Sequence, residues 1–294
     1  MSNIWQDLRY GVRILLRNPV FTLVAVLTLA LGIGVNTAIF SVVNTVLLRP
    51  LPYREPERLV MVWHNGVEAS GGDRTPLAVA DLLDWRAQSR SFESIAAFSY
   101  MSINVIGGET PEHVLGVGVT SNFFEVLGVR AALGRTFLPD EDRPGSGLGV
   151  LLNDGYWRRR FGADPQVVGR VLTLNGNSYT VIGVMPPGLN FPAKYVEMWA
   201  IQKVETPTRR GPYFLQGLAR LKAGTTPEEA YTDTRSIKSS FDRGNFNFNI
   251  LPVNDYVVGD VRQGLVALLL AVTLVLLIAA VNVANLTSRV ARRG

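Results

Sequence analysis

The feature that most constrains this chain is an apolar run from Val20 to Leu48 that contains no charged side chain. A helix needs about twenty apolar residues to cross a hydrocarbon core roughly 30 Å thick, and a continuous helix over this run would be roughly 43 Å long. We therefore predict a membrane-spanning helix over residues 19–48, with an outer end that extends past the bilayer as a stalk. A cleaved secretory signal is the alternative, but the run is longer than such signals and no small-residue cleavage site ends it.

A second apolar run, from Gln263 to Ser288, predicts a second spanning helix near the other end of the chain. Basic residues close to a span mark its cytoplasmic side. Arginines flank both runs on the sides nearest the chain ends: Arg9, Arg13, Arg17, Arg289, Arg292 and Arg293. We therefore predict that both termini are cytoplasmic, that residues 289–294 are a basic cytoplasmic tail, and that the region 49–262 lies outside the membrane.

Residues 1–18 have the pattern of an amphipathic helix that precedes the first span. Apolar residues recur at helical spacing, the three arginines lie four residues apart on another face, and Trp5 is a residue type favoured at lipid headgroups. We predict an elbow helix on the inner leaflet, with its arginines among anionic lipids. The alternative is that the span itself begins here and that the arginines only set its orientation.

The charge of the chain does not point to nucleic acid. Its formal net charge is +5, but the region 49–262 carries equal numbers of acidic and basic residues, so the excess belongs to the flanks. The sequence contains no cysteine, which excludes disulfides, thiolate metal sites and a cysteine nucleophile. A nucleic-acid partner is therefore not expected.

The outer region alternates short strand patterns with short helix patterns, which is typical of an α+β domain with mixed or antiparallel sheets. Asn175-Gly176 predicts a hairpin turn. Thr75-Pro76 reads as the cap and first turn of a helix, and Thr226-Pro227 as the start of another that runs to about Arg243. We predict two spans flanking an extracytoplasmic α+β domain, with two subdomains.

Both apolar runs carry small or amide side chains at helical packing spacing. Small residues four apart allow two membrane helices to approach closely, and polar side chains in a span usually face protein rather than lipid. The predicted helix-packing residues are Ala30, Gly34, Ala38, Ala280, Ala284, Asn282 and Asn285. For the two asparagines, a position at the inner headgroups is an equal alternative.

A search for catalytic chemistry finds no supported site. The sequence has no GxxxxGK[ST] loop, and His64 and His113 stand outside any metal-binding frame. The acidic run Asp140–Asp142 lacks the alternating ligands of a calcium loop, so we read it as a solvated loop. The run Tyr156–Arg160 mixes aromatic and basic residues, and we read it as a packed helix with a salt-bridged face. The sequence therefore argues against an enzyme and predicts no catalytic, cofactor or metal residues.

Several long segments, taken in order, resemble the MacB/FtsX-type ABC transporter permease family, in the bacterial branch with a MacB-like periplasmic core domain. The opening segment WQDLRYGVRILLRNPVFTLVAVLTLALGIGVNTAIFSVVNTVLLRPLPY is similar to the start of the family. The segments LLDWRAQSRSFESIAAF, VTSNFFEVLGVRAALGRTF and YWRRRFGADPQVVGRVLTLNGNSYTVIGVMPPGLNFP are similar to its periplasmic signatures. The segment LLIAAVNVANLTSRVARRG resembles the second membrane helix and the basic stretch after it.

The resemblance implies a permease subunit in the bacterial inner membrane that has no nucleotide site of its own. ATP would be bound by a separate P-loop ATPase, and its hydrolysis would move the periplasmic domain for export or mechanotransmission. Dimers or pseudo-dimers of permeases and a periplasmic partner protein are further expectations. Family members continue into more membrane helices, so we expect residues 1–294 to match the N-terminal portion, with a truncated tail. The alternative is a two-span sensor that binds a partner and acts without an ATPase.

Overall fold

The structure, a computed structural model, describes residues 19–43, 51–65, 74–106, 111–209, 211–237 and 247–291. Its contacts divide the chain into two units, which we describe separately. The membrane-helix unit comprises Met1–Pro50 and Val257–Gly294. The outer domain is Leu51–Tyr256.

Six helices and eleven strands occur in the described residues, besides two short 3-10 turns at Pro56–Arg58 and Pro165–Val167. The helices are α1 (Pro19–Val43), α2 (Val79–Gln88), α3 (Phe123–Leu127), α4 (Asp154–Phe161), α5 (Pro227–Ser236) and α6 (Val253–Ala291). The strands are β1 (Leu59–Asn65), β2 (Leu77–Ala78), β3 (Phe92–Ile106), β4 (Glu112–Val119), β5 (Leu133–Gly134), β6 (Gly149–Leu152), β7 (Val171–Leu174), β8 (Asn177–Val184), β9 (Met198–Ile201), β10 (Tyr213–Leu221) and β11 (Asn247–Pro252).

Helices α1 and α6 confirm the two apolar helices that the sequence predicts. By length and composition, Val26–Val43 in α1 and Gln263–Asn282 in α6 could each cross a membrane. Helix α1 runs without a break through Asn36, whose Nδ2 donates to the Gly32 carbonyl at 2.9 Å. The predicted elbow helix at 1–18 and the outer stalk residues 44–48 lie outside the described residues.

The outer domain is built on one mixed sheet, as the α+β prediction requires. The strand order is β11-β1-β10-β3-β4-β9-β6-β8-β5, with β2 added to β10 and β7 added to β3 and β8. Most neighbours are antiparallel, and the pairs β4–β9 and β6–β8 are parallel. Hydrophobic residues on this sheet form three separate clusters. The sheet is continuous and Leu51–Tyr256 forms one compact unit, so the two predicted subdomains stay a prediction.

The largest cluster is dominated by aromatic side chains that meet edge to face. Phe98 lies 5.7 Å from Phe123 and 5.9 Å from Phe191, and Phe124 lies 5.8 Å from Trp199, between ring centroids. Each large ring buries much apolar area, and such pairs add about 0.5–1.5 kcal/mol beyond that burial. This cluster therefore fixes the short helix α3 and the loop around Phe191 against the sheet.

Two element boundaries differ from those predicted. Thr75-Pro76 does not cap a helix, because Thr75 exchanges two backbone hydrogen bonds with His64 and the next two residues pair with β10 as β2. Helix α2 starts later, and Asp81 accepts from the Ala78 amide at 3.0 Å instead. Helix α5 begins as predicted with a Thr226–Glu229 capping box, but it ends at Ser236 rather than near Arg243.

Strands β5 and β9 were not predicted. The first has two residues, and the second is a short buried apolar run without alternation, a pattern that periodicity cannot assign. The hairpin of β7 and β8 over Asn175-Gly176 is confirmed. The hairpin could therefore be predicted from its turn residues, whereas β5 and β9 depend on pairing with other strands and have no local signal.

Asp233 on α5 holds the chain before β3 through three hydrogen bonds to one oxygen. Its Oδ2 accepts from Ser89 Oγ at 2.8 Å and from the amides of Arg90 and Ser91 at 2.9 and 3.0 Å. Burial alone would raise the pKa of Asp233, but these hydrogen bonds outweigh it and the pKa lies below its usual value. The stabilisation is therefore complete above about pH 4 and is lost as the pH falls through the folded-state pKa.

We expect Asp233→Asn to lower the free energy of unfolding by about 1–2 kcal/mol at neutral pH, because it removes a charged acceptor. The difference in Tm from the native chain should shrink as the pH falls below about 4. Thermal unfolding of the detergent-solubilised chain across this pH range measures both effects. Asp140→Asn, at an exposed carboxylate, is the control, and a Tm difference that does not change with pH would rule out this role.

Candidate coupling site at the two ends of the outer domain

The first and last segments of the outer domain lie on neighbouring strands. We call Leu51–Arg58, which leads into β1, the entry segment, and Val253–Tyr256, which follows β11, the exit segment. Strands β1 and β11 are antiparallel partners, with Val60 opposite Pro252. The start of β1 and the end of β11 are therefore side by side at one end of the sheet.

Two arginines and one glutamate hold the entry segment on the domain. Arg54 and Arg58 both contact the Glu93 carboxylate on β3. Arg58 also donates through Nε to the Leu221 carbonyl at 2.9 Å and pairs with Glu55 at 2.7 Å. Because exposed ion pairs contribute little singly, the network and the backbone contact matter more than any one pair.

Arg220, on the interior strand β10, ties the entry segment to helix α3. Its side chain is 1% exposed, and its Nε and Nη2 donate to the Val126 carbonyl at 3.1 and 2.6 Å. Its Nη1 reaches the Glu55 carbonyl at 3.4 Å and the Glu55 carboxylate at 3.7 Å. Burial, with Arg54 and Arg58 nearby, lowers the pKa of Arg220. One guanidinium thus satisfies carbonyls at the end of a helix and in the entry segment.

Gly128 allows the entry segment to lie directly against α3. It ends the helix with φ 71°, and a Cβ placed there would come within 2.4 Å of the Arg54 Cβ. The Arg54 amide donates to the Leu127 carbonyl at 3.3 Å. Farther back in the segment, Tyr53 meets the Phe191 ring edge to face at 6.0 Å, and burial raises its pKa to about 12.

The exit segment is the first turn of α6 and is packed into the domain. Val253 is fully buried, and the hydroxyl of Tyr256 donates to Gln216 Oε1 at 3.1 Å. The Arg74 guanidinium lies over two rings, 5.0 Å from the centroid of Tyr256 and 5.5 Å from that of Trp63. No loop separates β11 from this helix, because the strand ends at Pro252 and the helix begins at Val253.

Within the membrane-helix unit, α1 and α6 meet through a glycine and an amide. A Cβ on Gly32 would lie 2.9 Å from Leu276 Cδ1, so the helices approach closely there. Asn36, one turn away, donates from Nδ2 to the Val272 carbonyl at 3.3 Å. Gly32 and Asn36 are four apart, the spacing of one helix face.

The predicted helix-packing residues lie on other faces. Ala30, Gly34 and Ala38 are exposed, and a Cβ on Gly34 would meet nothing within 4 Å. Ala280 and Asn282 are also exposed, and the side chains of Ala284 and Asn285 lie outside the described residues. Packing of these residues against another molecule therefore stays a prediction. The face that joins α1 to α6 was missed, although its signal, Gly32 four before Asn36, is present in the sequence.

The predicted membrane-interface residues cannot be placed. Trp5, Arg9, Arg13 and Arg17 lie outside the described residues, as do Arg292 and Arg293. Helix α6 continues to Ala291, so the backbone of Arg289 is helical, and the basic tail at residues 289–294 stays a prediction. The role of these arginines at the inner leaflet stays a prediction.

Other charged and polar residues have structural roles. His64 is buried and its Nε2 lies 2.8 Å from Asp81 Oδ2, which joins the end of β1 to the start of α2. The basic run on α4 pairs with acidic neighbours, with Arg158 on Asp154 and Arg159 on Glu112 and Glu197, as predicted. Among the described residues, no group of three or more His, Asp or Glu side chains is placed to hold a metal.

The chain is similar to known proteins in both sequence and fold. The profile of the MacB-like periplasmic core domain matches residues 22–237, from within α1 to the end of α5. The chain belongs to this family. Members are ABC-transporter permeases of the inner membrane with a periplasmic domain, so the resemblance seen in the sequence is confirmed. The family implies a partner ATPase.

Two solved structures, each with a TM-score of 0.50, share this fold, and a third is similar to part of the chain. The periplasmic region of MacB from Actinobacillus actinomycetemcomitans aligns at TM-score 0.50 and 14% identity, over 70% of this chain and 92% of that one. A domain from Porphyromonas gingivalis, of a protein named as a permease, aligns at TM-score 0.50 and 14% identity, over 69% and 92%. The extracellular domain of the noncanonic ABC-type transporter YknZ from Gram-positive bacteria aligns at TM-score 0.48 and 12% identity, over 66% and 99%. No curated protein sequence matches the chain.

Proposed function

We propose that this chain is a permease subunit, or its N-terminal part, in which ATP hydrolysis by a separate P-loop ATPase moves the outer domain. The movement would serve export or mechanotransmission. The observation that carries this proposal is the anchoring of both ends of the outer domain on neighbouring strands, without a flexible linker at the exit segment.

The physical reason is that packed structure transmits displacement and flexible linkers absorb it. Packed interiors have low compressibility, so a shift of the first turn of α6 would reach β11 and its neighbour β1. The entry segment is held by Arg58 and Arg220 through hydrogen bonds to backbone carbonyls. A Gly- or Ser-rich connection would behave as a random coil and would not transmit such a shift.

The remaining parts of the proposal concern partners and orientation. Both termini would be cytoplasmic, where the ATPase binds ATP, and this chain would carry no catalytic, cofactor or metal site of its own. Trp5 and the flanking arginines would contact lipid. The exposed row Ala30, Gly34 and Ala38 would serve a dimer or pseudo-dimer of permeases, and the outer domain would act on a periplasmic partner protein.

Paired spin labels test the movement, because the sequence has no cysteine to remove first. We expect labels at Val20 and Val171, both exposed, to change distance between an ATP analogue and ADP when the ATPase co-purifies in mild detergent. Labels at Leu138 and Val171, both on the outer domain, should keep their distance. Inserting Gly-Ser-Gly between Pro252 and Val253 should reduce the nucleotide-dependent change without releasing the ATPase.

A P-loop ATPase that never co-purifies with the full-length protein would contradict the proposal. It would favour the alternative of a two-span sensor that binds a partner. An ATPase that binds but causes no change of distance would contradict the movement alone.

A further inference from the structure

The loop between β5 and β6 surrounds the ammonium group of a distant lysine. Lys203 follows β9, and its Nζ donates to the carbonyls of Glu141, Ser146 and Gly147 at 2.9, 2.9 and 3.0 Å. The Ser146 hydroxyl is a fourth oxygen in contact with it. An ammonium has three protons, so four oxygens saturate it and share one proton.

The loop also has contacts that do not involve the lysine. Ser146 Oγ lies 2.6 Å from the Glu141 carbonyl and 2.7 Å from the Arg143 carbonyl. The Glu141 carboxylate is held by both terminal nitrogens of Arg135 and accepts from the Leu138 amide at 2.9 Å. These contacts gather the backbone oxygens at one point. The acidic run Pro139–Asp142 is a loop, as interpreted, and Pro139 and Asp140 are exposed, but Asp142 is buried.

We call the oxygens of Glu141, Ser146 and Gly147 around the ammonium the cage. The size and charge of the cage decide which cation fits it. Its carbonyl oxygens lie 2.9–3.0 Å from the centre, whereas Ca²⁺ takes oxygens at about 2.3–2.6 Å and Mg²⁺ at about 2.0–2.1 Å. The Glu141 and Asp142 carboxylates attract the ammonium through their charge, but their oxygens bind elsewhere: Glu141 binds Arg135, and Asp142 Oδ2 accepts from the Ser121 amide at 3.2 Å. The direct contacts of the ammonium are therefore carbonyl and hydroxyl oxygens, and rings of carbonyls can replace the hydration shell of a monovalent cation.

We propose that residues 138–148 form a binding site for a monovalent cation of ammonium or potassium size, and that the native chain fills this site with Lys203. The site is distinct from the coupling site, so it goes beyond the function proposed above. The proposal explains why the backbone oxygens of this acidic loop converge on one point, although the loop lacks the ligand spacing of a calcium site.

Lys203 also lines a cavity on the outer domain. Next to Lys203, the Val204 amide donates to the Asp142 carbonyl at 2.7 Å. This cavity of about 470 Å³, a volume within the usual range of small-molecule sites, is lined in part by residues 205–209, Gly211, Pro212 and Phe214. The hydrogen bond between Val204 and Asp142 therefore joins the cage to the segment that lines this cavity.

Chemical rescue tests the proposal. We expect Lys203→Ala in the full chain to lower Tm by about 5 °C, because it leaves four oxygens without a cation. Ammonium, methylammonium or potassium chloride should restore at least half of that loss. Lithium, calcium, magnesium and tetramethylammonium chlorides at equal ionic strength should restore less than a quarter, and the ammonium and potassium arms show which cation the vacated site prefers.

Two further variants complete the test. Lys203→Met keeps the side-chain volume and removes the charge, so it should lose stability and resist rescue because the cage is filled. Lys222→Ala, at an exposed lysine, should leave Tm unchanged in every salt. Equal rescue by all the salts, rescue of the Met variant, or no loss in Lys203→Ala would overturn the proposal. If Lys203→Ala folds only with ammonium or potassium present, the proposal is supported.

Discussion

Replacing Arg220 with methionine should lower the free energy of unfolding of the outer domain by about 3 kcal/mol. The guanidinium makes two hydrogen bonds to the Val126 carbonyl in a fully buried position, and charge-assisted bonds contribute about 1.5–3 kcal/mol. Methionine keeps the length and apolar stem but leaves that carbonyl without its donor. For a domain of this size the Tm should fall by about 6–12 °C.

Arg143→Met provides the matched control, because Arg143 is 71% exposed and pairs with Asp140 only at the surface. Its Tm should stay within about 1 °C of the native value. The proposed coupling adds a second readout: nucleotide-dependent distance changes between labels at Val20 and Val171 should weaken in Arg220→Met even at temperatures where this variant is folded. If Arg220→Met is as stable as Arg143→Met, the Arg220 guanidinium does not hold the entry segment.

Replacing Gly32 with isoleucine should separate α1 from α6, whereas the same change at Gly34 should not. A Cβ at Gly32 meets Leu276 at 2.9 Å, while one at Gly34 meets nothing within 4 Å. Overpacking of this kind costs about 1–3 kcal/mol. Spin labels at the exposed residues Leu31 and Leu270 should report a longer and broader distance distribution in Gly32→Ile.

A compensating change strengthens this test. Adding Leu276→Ala to Gly32→Ile removes the clashing atoms and should restore the native distance. If Gly34→Ile perturbs the pair as strongly as Gly32→Ile, the helices meet through a different face. A Gly34→Ile variant with native intramolecular distances but weaker self-association would support the predicted role of Ala30, Gly34 and Ala38 between molecules.

The elements that depend on local signals could be predicted from the sequence. The two apolar helices, the hairpin over Asn175-Gly176 and the capped start of α5 each depend on residues within one turn or one span. The sequence places the start of helix α2 too early because Thr75 pairs with His64 and because Leu77 and Ala78 pair with β10, contacts that no local pattern contains. Pairing across the sheet outweighed the cap signal.

The candidate sites needed the structure for the same reason. Arg220 is the one charged residue in the strand segment FLQGLARL, which marks it as unusual, but its partners Val126 and Glu55 are far away in sequence. The acidic run is visible in the sequence, but Lys203, the cation that the loop binds, lies 62 residues away from Glu141, after β9. In α1, small residues occur on two faces, and only the contact with Leu276 shows that the Gly32 face meets α6.

In sequence, the outer domain is an insertion between the two apolar helices, and its first and last long strands, β1 and β11, lie side by side. Neighbouring strands lie about 4.8 Å apart, so a foreign domain could replace Leu51–Tyr256 if its own terminal strands were adjacent antiparallel partners. The same two membrane helices could then carry unrelated outer domains, exchanged as whole cassettes without change to the spans.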